Sequence, residues 1–92
     1  MKTKAKVILA DENASIVAAK TVSGDITVLE LLGCENIRLG DVLIGYWTEL
    51  DSQVVYNESR DQNVDVFILD YCCELDDVQQ RYFSPQLPKP RV

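Results

Sequence analysis

Histidine is absent from the chain. That removes the commonest general base near neutral pH, the serine and cysteine triads, and most zinc sites. Any chemistry must rest on cysteines, carboxylates or aromatic rings. Cys72 and Cys73 are adjacent and lead into Glu74, Asp76 and Asp77, and Cys34 lies far upstream. A metal or redox site could draw on the three thiols. Yet the spacing fits no C-x-x-C pattern, and neighbouring strand residues point to opposite faces. The nearby carboxylates raise a thiol pKa, which works against reactivity. The Cys72-Cys73 pair reads as structural, and no metal or cofactor is expected.

Hydrolysis by paired carboxylates needs two acids facing one cleft. Glu30 and Asp70 each interrupt an apolar run. They carry the alternative reading, a small barrel enzyme (hydrolase or isomerase) with carboxylates in a pocket. Solvated or paired surface positions are the simpler account. Gly33, Gly40 and Gly45 stand too far apart for a phosphate-binding loop. Aromatics remain. Tyr46, Trp47 and Tyr56 could line a binding surface, because Tyr and Trp favour interfaces. Phe67 and Tyr71 extend this set as candidate ligand- or partner-binding residues. In a strand Tyr46 and Trp47 face opposite ways, so at least one of them belongs to the core.

The elements that must hold these residues are strands. Apolar residues recur with period two in six runs: 5–10, 15–22, 25–32, 41–48, 53–57 and 64–71. Short polar links, such as Ser23-Gly24-Asp25 and Glu49 to Ser52, imply antiparallel hairpins. Residues 33–40 form a longer loop. Leu75, Val78 and Tyr82 fall on one face of a C-terminal helix over 74–83, with acids in its first turn and Arg81 in its last. Ser84-Pro85 should end it. The expected fold is mainly β: a six-stranded antiparallel meander closing into a small barrel or curled sheet, with one C-terminal α-helix. Residues 1–84 read as a single domain and 85–92 as a Pro-rich mobile tail with P-x-x-P spacing.

Several strands are apolar on both faces. Ile26, Val28 and Leu32 oppose Leu29 and Leu31. Val42, Ile44 and Tyr46 oppose Leu43 and Trp47. Val64, Val66 and Ile68 oppose Phe67, Leu69 and Tyr71. A one-sided antiparallel sheet alternates apolar with polar instead. One short helix is not expected to cover three such strands. A second copy of the chain is the expected cover, so a homodimer is expected, and a ligand cavity inside the barrel is the competing cover.

Charge narrows the partners. Residues 21–80 hold 13 carboxylates against Arg38 and Arg60, while the ends are basic. An acidic centre repels nucleic acid, so none is expected. The formal charge of −6 is mild for a DNA mimic. No apolar run approaches the roughly 20 residues of a membrane span, so no membrane partner is expected. The basic start followed by the short run 7–10 lacks a signal-peptide core, and an odd cysteine count suits a reducing compartment. A cytoplasmic location is expected. A small apolar or aromatic molecule, or a basic protein surface, would suit the acidic centre.

The segment Ile37-Arg38-Leu39-Gly40-Asp41-Val42-Leu43-Ile44-Gly45 resembles the x-G-D-x-V turns that enter strands of OB-like and SH3-like small barrels. The resemblance is geometric, covers about nine residues and implies no activity. The helix follows the last strand, unlike the OB plan. In size and lack of motif the chain is also similar to short proteins of bacterial mobile elements. Together these readings point to a small, dimeric, non-enzymatic binding or interaction module.

Overall fold

The computed structural model describes residues 1–11, 15–33 and 36–83. Six strands follow one another: β1 (Thr3–Asp11), β2 (Ile16–Thr21), β3 (Ile26–Leu31), β4 (Val42–Gly45), β5 (Ser52–Asn57) and β6 (Gln62–Cys73). A short helix α1 (Leu75–Val78) follows and passes into a π-helical turn, Gln79–Phe83. The strands close into an antiparallel barrel in the order β1-β2-β3-β6-β5-β4. Closure leaves no strand edge unpaired. The mainly β class, the six antiparallel strands, the closed barrel and the C-terminal helix are all as expected.

The strand order is not a strict meander. β3 pairs with β6 rather than β4, and β4 pairs with β1 through Thr3↔Gly45, Lys4↔Ile44, Ala5↔Leu43 and Lys6↔Val42. The barrel is thus two three-stranded meanders joined along two seams. The loop after β3 is too long for a hairpin, so it need not deliver β4 beside β3. Its second part docks on β1: Gly40 N–H donates to Val7 O at 2.9 Å and Val7 N–H to Asp41 O at 2.8 Å. Gly40 takes φ +87°, a conformation costly for residues with a Cβ.

Bulges supply the curvature that a small barrel requires. In β1 the register slips between Val7 and Leu9, leaving Ile8 unpaired. β6 carries extra residues opposite Val28 and again between Val28 and Ile26. Cys72 lies in the second irregularity with φ +55°. These bulges turn the end of β6 toward α1.

Apolar burial divides into two bodies. The barrel interior holds Val7, Val17, Leu29, Leu43, Trp47, Val55, Val64, Val66 and Ile68 among others. These side chains fill the space that the competing cover, a ligand cavity, would occupy. The second body lies outside the barrel wall, where Ala18, Ile26 and Val28 are sealed by Val78, with Ile8, Leu9, Ile16, Leu69, Tyr82 and Phe83 against them. The helix therefore covers more of the wall than its length suggested. Leu75, expected on its buried face, is 43% exposed. Leu75 is the first residue of α1 and borders the open groove beside it, while Val78 and, from the π-turn, Tyr82 and Phe83 make the contact with the wall. Arg81 Nη2 donates to Asp70 Oδ2 at 2.7 Å and ties this segment to β6.

Ser84-Pro85, Cys34 and the Pro-rich tail 85–92 lie outside the described residues. No helix among the described residues is long and apolar enough to cross a membrane.

Candidate functional site

Period-two alternation decides which aromatic side chains face out. On β4, Leu43 and Gly45 point inward, so Val42 and Ile44 point outward, and Tyr46 follows them beyond the strand end. On β5, Val55 and Asn57 are buried, so Ser52, Val54 and Tyr56 face out. Register then assembles them. Lys4, Ile44, Tyr56 and Asn63 form one row across β1, β4, β5 and β6. Val54 pairs with Asp65 in the next row, and Ser52, Phe67 and Glu30 form a third. Directly paired residues share a face, with Cβ atoms about 4.5–5.5 Å apart. Tyr46, Tyr56 and Phe67 therefore belong to one outer strip on the wall that α1 leaves open. Val54 is its most exposed apolar member at 53%, and Tyr46 is 43% exposed.

Each tyrosine is fixed by a polar contact. Tyr56 Oη donates to Asp61 Oδ1 at 2.5 Å. That bond, together with partial desolvation and the negative charge nearby, raises the Tyr56 pKa above that of a free phenol. The Tyr46 backbone is clasped by the Gln53 amide: Tyr46 N–H donates to Gln53 Oε1 at 3.0 Å, and Gln53 Nε2 donates back to Tyr46 O at 2.5 Å. Lys2 Nζ lies 5.8 Å from the Tyr46 ring centroid, within cation–π range. Lys4 Nζ reaches over β4 to Glu58 Oε2 at 3.0 Å. The strip is an apolar and aromatic band with ammonium groups overhanging its β1 side.

Trp47 and Tyr71 are elsewhere. Trp47 is 4% exposed, part of the interior, and its Nε1 donates to Thr3 O at 2.9 Å. Tyr71 also sits against the interior cluster. Strict alternation places it with Phe67 and Leu69 on the outside. The bulge at Asp70 inserts one residue, and one extra residue moves every later side chain to the other face.

The two carboxylates singled out by sequence do not converge. Glu30 faces outward between Ile16 and Phe67. Asp70 lies further along the neighbouring strand, engaged by Arg81 and by the Tyr71 N–H at 2.9 Å. Cys72 is exposed. Burial, aided by a hydrogen bond to Asp70 and its charge, pushes the Cys73 thiol up to about 11. Among the described residues no group of three His, Cys, Asp or Glu could hold a metal ion.

Sequence reasoning missed one polar cluster altogether. Asp41 Oδ2 accepts from Asn57 Nδ2 at 2.9 Å, Arg38 N–H at 3.0 Å and Arg60 Nε at 2.8 Å. Asn57 is fully buried, and its Oδ1 accepts from Ser59 N–H at 3.1 Å. Ser59 Oγ in turn accepts from Val42 N–H at 2.9 Å. Burial works to raise the Asp41 pKa, but these donors and the Arg60 charge outweigh it and hold the carboxyl below its ordinary value. The signal in the sequence was an Asp and an Asn at strand ends, which turn chemistry explains equally well. The cluster is satisfied internally and cements the β3–β4 loop to the β5–β6 turn.

A groove of about 570 Å³ runs beside α1, floored by Ile8, Leu9 and Ile26, walled by Cys73 and Leu75, and rimmed by Lys20, Asp25, Glu74 and Gln79. No protein-family model, curated protein or solved structure matches the chain.

Proposed function

We propose that this chain is a non-enzymatic interaction module that works as a homodimer through the outer strip of β4, β5 and β6. The observation that carries the reading is the grouping of Ile44, Tyr46, Val54, Tyr56 and Phe67 on a stretch of wall that α1 leaves uncovered. On the opposite wall Ile8, Leu9, Ile16 and Leu69 already have α1 and the π-turn against them. Exposed aromatics with few rotatable bonds are favourable interface anchors, because little side-chain entropy is lost on docking. Mass in solution by light scattering at micromolar concentration tests this. The expected mass is twice the 10.4 kDa of the chain. A species at the single-chain mass overturns dimerisation.

A second reading rests on the groove beside α1. Its size and apolar floor suit a small apolar or aromatic molecule. Native mass spectrometry of freshly purified protein checks it: a co-purified small molecule supports the reading, and a bare chain that binds no hydrophobic fluorophore removes it.

A further inference from the structure

The outer strip is electrostatically lopsided across its strands. Lys2, Lys4 and Lys6 flank it on the β1 side. The Lys2 and Lys4 ammonium groups lie over β4 rather than away from it, Lys4 ion-paired to Glu58 of its own chain, so that Lys2 and Lys6 carry the net positive charge of this flank. On the β6 side stand Asp65, opposite Val54, and Asp61, bonded to Tyr56. A uniformly basic partner would meet the lysines, and a uniformly acidic one would meet the aspartates. A surface of matching, reversed polarity avoids both clashes, and a second copy of this chain provides it.

We propose that the strip docks on itself about a two-fold axis lying in the contact plane and parallel to the strands. This rests on the dimeric reading above and specifies its geometry. An axis across the strands would set lysine against lysine and aspartate against aspartate. An axis along them sets each lysine flank over the partner's aspartate flank, and it keeps the strand directions of the two copies nearly aligned, as packed sheets prefer. A barrel wall is convex, so the contact centres on Ile44, Tyr46, Val54 and Tyr56. Only long side chains bridge the diverging flanks. Lysine has that reach, and Lys4 already spans β4 within its own chain. Charge pairs at the rim set orientation and partner choice more than affinity.

The experiment uses three surface variants: Val54→Asp at the centre, Lys4→Glu on one flank and Asp65→Lys on the other. Circular dichroism confirms that each is folded. Light scattering and native mass spectrometry then read assembly. The wild type is expected to be a dimer, and Val54→Asp a monomer. Lys4→Glu and Asp65→Lys should each weaken self-association by about tenfold. An equimolar mixture of those two should recover dimer as the mixed species, because the reversed charge at position 4 of one copy then faces the reversed charge at position 65 of the other. A monomeric wild type overturns the dimeric reading itself. A dimeric wild type whose Val54→Asp variant is still dimeric leaves that reading standing and overturns this face. Dissociation by Val54→Asp without preferential mixed pairing overturns the axis.

Discussion

Asn57 Nδ2 donates to Asp41 Oδ2 at 2.9 Å, joining the end of β5 to the residue that leads into β4. The same oxygen accepts from Arg38 N–H and Arg60 Nε, so one carboxylate oxygen gathers two loops and a strand. The Asp41 side chain is 8% exposed and that of Arg60 37%. A charge this well buried stays ionised only because its donors are in place.

Replacing Asp41 with Asn removes the charge and leaves two amides in competition. The expected loss is about 2 kcal/mol at neutral pH, the range for a hydrogen bond to a charged group. The half-exposed Arg60 keeps the loss from being larger. The effect has a defined pH window. The folded-state pKa of Asp41 is below its ordinary 3.8. Its stabilisation is therefore complete above pH 3.8 and disappears as pH falls through the lower folded value. Urea unfolding of both proteins from pH 7 to pH 2 should show the difference narrowing at the acid end. A constant gap would mean that the charge is not what matters.

Gly45 is inside the barrel for lack of room. A Cβ there would stand 2.8 Å from Val55 Cγ1, 3.0 Å from Gln53 Oε1 and 3.2 Å from Trp47 Cη2. Gly45→Ala should cost about 1–3 kcal/mol through overpacking, despite the better intrinsic propensity of alanine. Trp47 is the only tryptophan, so its fluorescence reports both the unfolding midpoint and the local displacement.

Val78 is fully buried and closes the outer cluster over Ala18, Ile26 and Val28. Truncation to Ala removes two buried carbons and leaves a gap, an expected loss of about 2 kcal/mol. Hydrogen exchange should show more exchange in 75–83 than in the β2–β3 ladder. Equal acceleration throughout would show that the helix and barrel unfold only as one unit.

The paired cysteines should behave differently. At pH 8 an alkylating reagent should label Cys72, which is exposed, and leave Cys73, whose pKa is pushed to about 11, largely unmodified in the folded protein. Peptide mapping resolves the two sites. Denaturant should equalise them. Equal labelling in the folded state would mean that the end of β6 opens readily.

The legible parts of this fold were those set by local pattern. Alternation along β4 set Tyr46 and Trp47 on opposite faces without saying which of the two lies inside, and all six strands follow runs of period two. What local pattern does not encode is an insertion. The extra residue at Asp70 moved Tyr71 from the outer face to the interior, because no residue type announces a bulge there. Strand order was hidden for a related reason. Residues 33–41 show that the link is long, but not which edge it reaches. Of the strip, the aromatic members stood out by type. Ile44 and Val54 did not, since an exposed aliphatic on a strand looks like core until its partners are known. The Asp41 cluster was invisible because its members are far apart in sequence and meet only when the barrel closes.

The two seams also constrain how the barrel can form. Each meander can zip from its own tight turns, but β1 must find β4 across some forty residues of chain, and their ladder spans only Thr3–Lys6 against Val42–Gly45. β4 has little else to hold it, with two register pairs to β5, Leu43↔Asn57 and Ile44↔Tyr56. The β3–β6 seam closes a loop of similar length but along a longer ladder, so the β1–β4 seam gains fewer bonds for a comparable loop entropy. In kinetic terms β4 is expected to be the last stave to enter the barrel and the first to leave. The hydrogen-exchange rates of its amides measure how often the barrel stands open.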